Sequence, residues 1–320
     1  MTTRTLHIAV LAGLAAVSFQ AAEASTLTLR FENDVFYKSD REYTSGQGFT
    51  WTDDANTDPW ATHLAQWLPM YPQGADVRAS YSLDQAIFTP RDTAAVNPPL
   101  TQRPYAGWLY TTLGIDSETQ SRLSQYSMDI GVVGPWALGE QAQNFVHSLR
   151  GFDLANGWHY QLHNEPGIVL SDQQSWRFWL SDPASKIGID IIPHAGGVIG
   201  NVYDYLDAGG VVRVGRLTKD WTPARIAPST PGTNIADDWG AYVFAGVEGR
   251  AVGRNIFLDG NSFESSRSVD KYPFVAEGEL GAAVTLWHVR FAYTHVFLSR
   301  EYTTQGPFHQ YGTISVTARL

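Results

Sequence analysis

Cysteine is absent from the 320-residue sequence, and beyond the N-terminus no long run of apolar residues occurs. Without cysteine the chain can form neither disulfide bonds nor thiolate metal sites. A membrane-spanning helix needs roughly 20 consecutive apolar residues, so a helical membrane protein is excluded. Basic residues are also few: the formal net charge is −10, which argues against nucleic acid as a partner.

The N-terminus has the features of a secretory signal. Arg4 is followed by the uncharged apolar stretch 8–22, and Ala22-Glu23-Ala24 matches an A-x-A cleavage site. We therefore predict a signal peptide over residues 1–24 and a mature domain over residues 25–320.

Much of the mature chain alternates apolar and polar residues. Leu27, Leu29 and Phe31 would share one face of a strand, and the same period of two recurs to the C-terminus. Twelve such segments lie near 25–36, 43–52, 79–88, 104–115, 124–134, 165–180, 186–197, 203–216, 239–250, 273–285, 287–299 and 309–320. In a membrane barrel the apolar face meets lipid and the polar face lines the lumen.

This pattern predicts an all-β fold, an antiparallel transmembrane β-barrel of about twelve strands in the outer membrane of a Gram-negative bacterium. Aromatic residues near segment ends favour interfacial girdles. They are Trp108, Tyr110, Trp176, Phe178, Trp179 and Tyr302. The alternative is a soluble periplasmic β-sandwich or lipocalin-like barrel. Leu320 supports that alternative, because many outer-membrane barrels end in phenylalanine.

One segment, 138–151, has helical rather than strand periodicity. Leu138, Ala142, Phe145 and Leu149 would form an apolar stripe, and Gly151 is a plausible C-cap. If the mature N-terminus is periplasmic, counting strands places this short helix in an extracellular loop. The same count places the 89–103 connection and the junction of the first two strands at the extracellular rim of the barrel.

Several polar residues at this rim could carry chemistry. Asn33 and Asp34 are hard oxygen donors suited to calcium, although Asn-Asp is also common in turns. Gln143 and His147 lie four residues apart and share one helix face. An imidazole can take a proton from water, but most helix histidines are simply packed or solvated. The sequence has no Gly-x-Ser-x-Gly motif for a serine hydrolase.

Two arginines, Arg91 and Arg103, lie in the second outer connection and could bind phosphate. Rim arginines also meet lipopolysaccharide on outer-membrane barrels of any function. With the mature N-terminus in the periplasm, the segments 53–78 and 217–238 also face the periplasm. The sequence does not indicate their role.

Several short stretches together resemble the lipid A 3′-O-deacylase family, which are calcium-dependent outer-membrane barrels of twelve strands. These stretches are Glu32-Asn33-Asp34, Asp40-Arg41, Tyr43-Thr44-Ser45-Gly46, Gln102-Arg103-Pro104-Tyr105-Ala106, Gly131-Val132-Val133-Gly134-Pro135 and Gln143-Asn144-Phe145-Val146-His147. The Q-N-x-x-H stretch is the most specific of these motifs. The order and spacing of all of them along the chain strengthen the resemblance.

The resemblance implies a site and a reaction. Asn33, Asp34, Thr44, Gln143 and His147 would be active-site residues, with His147 as the general base. Calcium would be held by Asn33, Asp34 and Asp153, although the family has a glutamate near the last position. Arg91 and Arg103 are predicted to bind substrate from their charge and position, since the Lys-Arg pair of the family is not reproduced and Arg91-Asp92 stands in that loop. The implied reaction removes the 3′-linked acyloxyacyl group of lipid A in the outer leaflet, whereas the alternative is a non-catalytic porin or structural barrel.

Overall fold

The computed structural model describes residues 25–34, 42–182, 185–221, 223, 239–306 and 309–320. Over these ranges the strands are β1 (Thr26–Asn33), β2 (Glu42–Thr52), β3 (Asp76–Thr89), β4 (Ala106–Glu118), β5 (Arg122–Val133), β6 (Glu165–Trp176), β7 (Phe178–Trp179), β8 (Gly188–Gly200), β9 (Tyr203–Arg216), β10 (Gly240–Asn255), β11 (Phe274–Leu286), β12 (Val289–Leu298) and β13 (His309–Arg319). The helices are α1 (Pro59–Ala65), α2 (Gly139–Arg150) and α3 (Ile256–Asp259), with 3-10 turns at Pro135–Ala137 and Trp158–Tyr160. None of the described helices is long and apolar enough to cross a membrane. The predicted signal peptide lies outside the described residues.

The strands form one closed antiparallel barrel. Strands that follow one another in the chain pair with each other, except for β6 and β7; β1 pairs with β13, and β6 pairs with β8 to complete the circle. β7 continues β6 beyond Arg177 and also pairs with β8, so the thirteen segments make twelve barrel strands. The predicted fold is confirmed, and each predicted segment overlaps one barrel strand.

The two ends of the barrel carry different elements. Thr26 pairs with Arg319, so both ends of the described chain lie at one rim, which we call the terminal rim. α1 connects β2 to β3 at this same rim. α2 and α3 lie at the opposite end, which we call the α2 rim.

Side chains alternate between the lumen and the outer wall, as predicted. On β1, Thr28 and Arg30 are buried, whereas Leu29 and Phe31 are exposed. Arg30 is enclosed because its guanidinium donates across the lumen side to Asp84 of β3 at 2.7 Å. Large exposed apolar side chains recur on the outer wall, among them Leu170, Ile199, Leu206, Val247, Leu280 and Phe291. A polar interior behind an apolar exterior is the arrangement of a barrel in lipid.

The predicted aromatic girdle is correct only in part. Phe178 is exposed near the terminal rim, but Trp108 and Tyr110 are buried and line a cavity in the lumen. Their rings stack at a centroid distance of 5.0 Å. Tyr302 is also buried, because its hydroxyl donates to Glu42 at 2.9 Å. Aromatic rings suit both the lumen and the lipid interface. The alternation of apolar and polar residues alone therefore does not predict which side of the wall they face.

Aromatic side chains pack together in the lumen near the α2 rim. α3 lies within the lumen with Ile256 and Phe257 fully buried. Phe88 of β3 stacks on Phe257 at 4.0 Å, and Tyr203 packs against the same ring at 5.4 Å. Such interdigitated packing anchors α3 in the lumen of the barrel.

A charged network fills the lumen at the terminal rim. Asp220 accepts hydrogen bonds from Arg290 at 2.8 Å and from the Tyr242 hydroxyl at 2.6 Å. Arg213 lies between Asp220 and Asp190 and pairs with both. The described start of the 217–238 segment therefore folds back into the barrel, and the rest of it lies outside the described residues.

Candidate active site on the outer wall

Helix α2 ends where the sequence predicts. Gly151 has a φ of 69°, in the left-handed region that glycine adopts without strain, and its N–H donates to the His147 carbonyl. Among the side chains of the helix that the structure describes, the two most buried are polar: Gln143 is 3 % exposed and His147 is 5 % exposed. Phe145 and Leu149, from the predicted apolar stripe, are exposed instead. A helix of this polarity suits a place where polar groups face protein and apolar groups face lipid.

The buried side of α2 lies against the outer wall of β3. Phe88 points into the lumen, so the preceding Ile87 points outward. Ile87 is nevertheless buried, because it forms a cluster with Tyr105 and Trp158 against which Ala142 of α2 packs. The helix therefore covers a patch of outer wall that would otherwise meet lipid.

The ring of His147 has a defined orientation. Its Nδ1 lies 2.6 Å from the main-chain oxygen of Asp153. A carbonyl oxygen only accepts, so in the neutral ring Nδ1 carries the proton and Nε2 carries the lone pair. The ring of Phe152 meets it edge-on at 5.9 Å. This geometry leaves Nε2 as the basic nitrogen, which a general base requires.

Gln143 is oriented in the same way by a neighbour. The indole Nε1 of Trp158 donates to its Oε1 at 2.8 Å. The amide is thereby fixed with its oxygen toward Trp158 and its NH₂ group as a donor.

A β-bulge places Thr44. The register between β2 and β3 shifts between Tyr43 and Ser45, which leaves Thr44 as the extra residue. Tyr43 lines the lumen, whereas the Thr44 hydroxyl meets that of Thr89 at 2.6 Å. Bulges commonly re-aim a side chain next to a functional site.

Asn33 and Asp34 end β1 beside this bulge. Asn33 pairs with Ser45, and the Asp34 amide donates to the Thr44 carbonyl at 3.2 Å. Both side chains are buried. Asp40 and Arg41, from one of the resembling stretches, lie outside the described residues.

The predicted site residues on α2 and those beside the β2 bulge both lie near the end of β3. Thr89 contacts Thr44, and Ile87, two residues earlier, lies under α2. The five residues predicted to be catalytic therefore lie in one region of the wall at the α2 rim. They are Asn33, Asp34, Thr44, Gln143 and His147.

The donors near the bulge fit a hard cation. Asp34 offers a carboxylate, Asn33 an amide oxygen and Thr44 a hydroxyl, all of them the oxygen ligands that calcium prefers. Asp153 is different: its side chain is exposed, and its carbonyl oxygen is engaged by His147. Its role as a metal ligand stays a prediction.

The two predicted substrate-binding arginines have opposite environments. Arg91 is exposed. Arg103 is buried on the lumen side, where it lies 4.7 Å above the Phe88 ring and pairs with Glu301 at 3.1 Å and Glu42 at 3.8 Å. Contact of either arginine with substrate stays a prediction.

Two contributors to the site were missed in the sequence. Trp158 orients Gln143, and Thr89 meets Thr44. Trp158 is fifteen residues from Gln143 in the sequence, and no local pattern connects the two.

A second cluster of possible metal ligands lies in the lumen. Ligand atoms of His194, Asp207 and Glu248 lie within 4.8 Å of one another. Arg250 pairs with Glu248 at 2.6 Å and so offsets its charge. This cluster is on the other side of the wall from α2 and does not belong to the site described above.

Comparisons with known proteins agree with this architecture. The family model described as "Outer membrane protein LpxR" matches residues 6–320. The structure of LpxR from Salmonella typhimurium is similar, with a TM-score of 0.76 and 22% identity over 92% of this chain and 100% of that chain. The translocator domain of autotransporter NalP from Neisseria meningitidis gives a TM-score of only 0.35 at 10% identity, over 94% of this chain and 90% of that chain. Comparison with curated proteins gave no significant match. Because the family model covers almost the whole sequence, the chain belongs to the LpxR family of outer-membrane proteins.

Proposed function

We propose that this protein is a calcium-assisted ester hydrolase that removes the 3′-linked acyloxyacyl group of lipid A. The observation that carries the proposal is the position of α2, whose buried polar face holds Gln143 and His147 against the outer wall. A lipid substrate reaches that surface from within the membrane without entering the barrel. Membership of the lipid A 3′-O-deacylase family agrees with this reading.

The proposed orientation puts the α2 rim outside the cell. Both ends of the described chain lie at the terminal rim, together with short turns at 119–121 and 287–288 and two longer connections at 53–75 and 217–239. The opposite rim carries the connections 90–105, 134–164 and 256–273, which together are longer. Bacterial barrels have short periplasmic turns and longer extracellular loops. With this orientation the site lies level with the lipid A of the outer leaflet.

The mechanism starts at His147. Its Nε2 accepts a proton from a water molecule, and the water oxygen attacks the ester carbonyl. The Asp153 carbonyl holds Nδ1–H and stabilises the imidazolium that forms. The ester C–O bond then breaks as the imidazolium returns the proton to the departing 3′ oxygen. The products are a hydroxyl group on the sugar and a free carboxylic acid, which ionises by releasing its proton to solvent.

Other groups stabilise charge in this scheme. The Gln143 amide is held by Trp158 and serves as a hydrogen-bond donor at the site. Asn33, Asp34 and Thr44 would hold the calcium ion, which would act as a Lewis acid for the ester oxygen.

The alternative, a porin or structural barrel, is less well supported. α3 and its aromatic neighbours occupy the lumen at one end, and the Asp220 network occupies it at the other. A conducting pore needs a water-filled lumen. A porin or structural barrel would also have no need of a helix whose polar face is buried against the outside of the wall.

The test is mass spectrometry of lipid A after incubation with the detergent-purified full chain, with calcium and with chelator. We expect calcium-dependent loss of the mass of one acyloxyacyl group and release of the matching fatty acids. Unchanged lipid A from protein that keeps its heat-modifiable barrel mobility would refute the proposed activity.

We expect Arg91 and Arg103 to respond differently to replacement. Arg103→Ala removes the cation beside two buried or partly buried carboxylates, which should lower the free energy of unfolding by about 3–5 kcal/mol. Arg91→Ala should change it by less than about 0.5 kcal/mol and should raise KM for phosphorylated lipid A. Urea unfolding in micelles and steady-state kinetics measure the two effects. An Arg103→Ala variant with unchanged stability and raised KM would assign substrate binding to Arg103 instead.

A further inference from the structure

The 59–71 segment, which includes α1, lies outside the barrel. Arg78 faces the lumen side and pairs with Glu118, so the neighbouring Val77 and Ala79 of β3 face outward. Ile115 is directly opposite Ala79 and faces the same way. These outward residues are nonetheless buried, because Ala61 and Ala65 of α1 pack on them, with Leu68 and Tyr71 beside the cluster. The Tyr126 hydroxyl, also on the outer wall, donates to the Pro69 carbonyl.

The other side of this segment is apolar and exposed. Trp60 and Leu64 lie one turn apart on α1, and Trp67 and Met70 follow in the turns beyond the end of the helix at Ala65. Trp67 is 86% exposed, Trp60 is 41% exposed, Leu64 45% and Met70 52%. An exposed group of large apolar side chains on a protein marks an interaction surface.

The composition of the segment indicates its partner. Residues 59–71 contain no Asp, Glu, Lys or Arg, and His63 is their one titratable basic group. The patch is continuous with the lipid-facing wall, where the next outward residue of β3, Tyr81, is 41% exposed. Trp239 and Trp287 are exposed at the same rim and lie where an aromatic belt would meet lipid headgroups.

The depth of the segment also fits a membrane interface. Val77 and Ala79 are among the first residues of β3, so at about 3.3 Å per residue the segment covers roughly the last 10 Å of wall. Interfacial helices insert their apolar faces about 5–10 Å into the boundary between headgroups and acyl chains.

We propose that the 59–71 segment is an interfacial anchor that inserts Trp60, Leu64, Trp67 and Met70 into the phospholipid leaflet on the periplasmic side. It fixes how deeply the barrel sits, and therefore the height of the α2 site at the opposite leaflet. The proposal rests on the orientation given under the proposed function, but not on the hydrolytic activity. Because the segment carries no basic side chain apart from His63, its insertion needs no anionic lipid.

The absence of cysteine in the chain makes a site-specific test direct. Trp67→Cys and Leu64→Cys variants of the full chain would carry a nitroxide label and be folded into phosphatidylcholine vesicles. Tyr81→Cys is the matched lipid-facing control, and Gln73→Cys, exposed beyond the segment, is the water-facing control. Power-saturation EPR compares collisions with oxygen, which concentrates in lipid, and with a water-soluble nickel chelate.

Labels at positions 64 and 67 should show the high oxygen-to-nickel ratio of the Tyr81→Cys control, with or without phosphatidylglycerol in the vesicles. A ratio equal to that of Gln73→Cys would overturn the proposal. Protection from both reagents together with spin–spin broadening would also overturn it, since a second copy of the chain would then cover the patch. Hydrolysis of lipid A is measured separately, so a protein without that activity can still confirm or refute the anchor.

Discussion

Replacing His147 with alanine should lower the rate of lipid A hydrolysis by about 10²–10⁴-fold while the barrel remains folded. The range is what a positioned general base contributes to proton transfer. His147 is on a helix outside the wall and takes no part in strand pairing, so the loss of contacts such as the hydrogen bond to the Asp153 carbonyl, worth about 1 kcal/mol, leaves the strand pairing of the barrel intact. The measurement is kcat on detergent-solubilised lipid A, with heat-modifiable electrophoretic mobility as the test of folding.

A second histidine provides a matched control. His159 is exposed on the aromatic turn near the same rim, and His159→Ala should leave kcat within a factor of about two. His147→Gln tests the same assignment with a side chain that can still donate a hydrogen bond to the Asp153 carbonyl. Full activity in His147→Ala would rule out the base assignment, and equal losses in both alanine variants would indicate a general effect on the rim.

The barrel could be predicted from the sequence because lipid imposes a strict rule. Every lipid-exposed strand needs an apolar face, and the alternation at Leu27, Leu29 and Phe31 records that requirement directly. Twelve periodic segments therefore predicted twelve barrel strands with small errors at their ends. The burial of Trp108 could not be read in this way, since a wide lumen also accepts aromatic rings.

The candidate site could be predicted from the sequence only in part. The Q-N-x-x-H stretch and the i, i+4 spacing indicated that Gln143 and His147 act together, and the structure places both on one buried face. The bulge that re-aims Thr44 depends on pairing with β3, so no local pattern shows it. The same holds for Trp158, whose role depends on how a loop folds back over α2. Of the predicted apolar stripe of the helix, Ala142 packs on the wall, whereas Phe145 and Leu149 are exposed on the side where a membrane protein meets lipid.

Asp34 is the residue whose replacement should reveal the metal. Asp34→Ala removes a buried carboxylate next to Asn33 and Thr44, and the hydrogen bond from its amide to the Thr44 carbonyl is formed by the main chain and remains. Activity at ordinary calcium concentration should fall by at least about 10²-fold, since a Lewis acid contributes several kcal/mol to ester hydrolysis. Because the remaining oxygen donors still bind weakly, high calcium should restore part of the rate. Asp34→Asn keeps the volume and separates the effect of charge from that of packing.

Calcium binding by Asp34 can also be measured without turnover. A ligand that binds the folded state raises its stability by RT ln(1 + [L]/Kd), so calcium should raise the unfolding temperature of the unmodified chain. The rise should need much higher calcium in Asp34→Asn, and should be unchanged in Asp204→Ala, an exposed acid at the same rim. Asp153→Ala decides between its two possible contributions. A shift like that of Asp34→Asn would make its carboxylate a ligand, whereas an unchanged calcium response would leave only its carbonyl, which holds His147. If calcium stabilises Asp34→Asn as strongly as the unmodified chain, the metal is bound elsewhere.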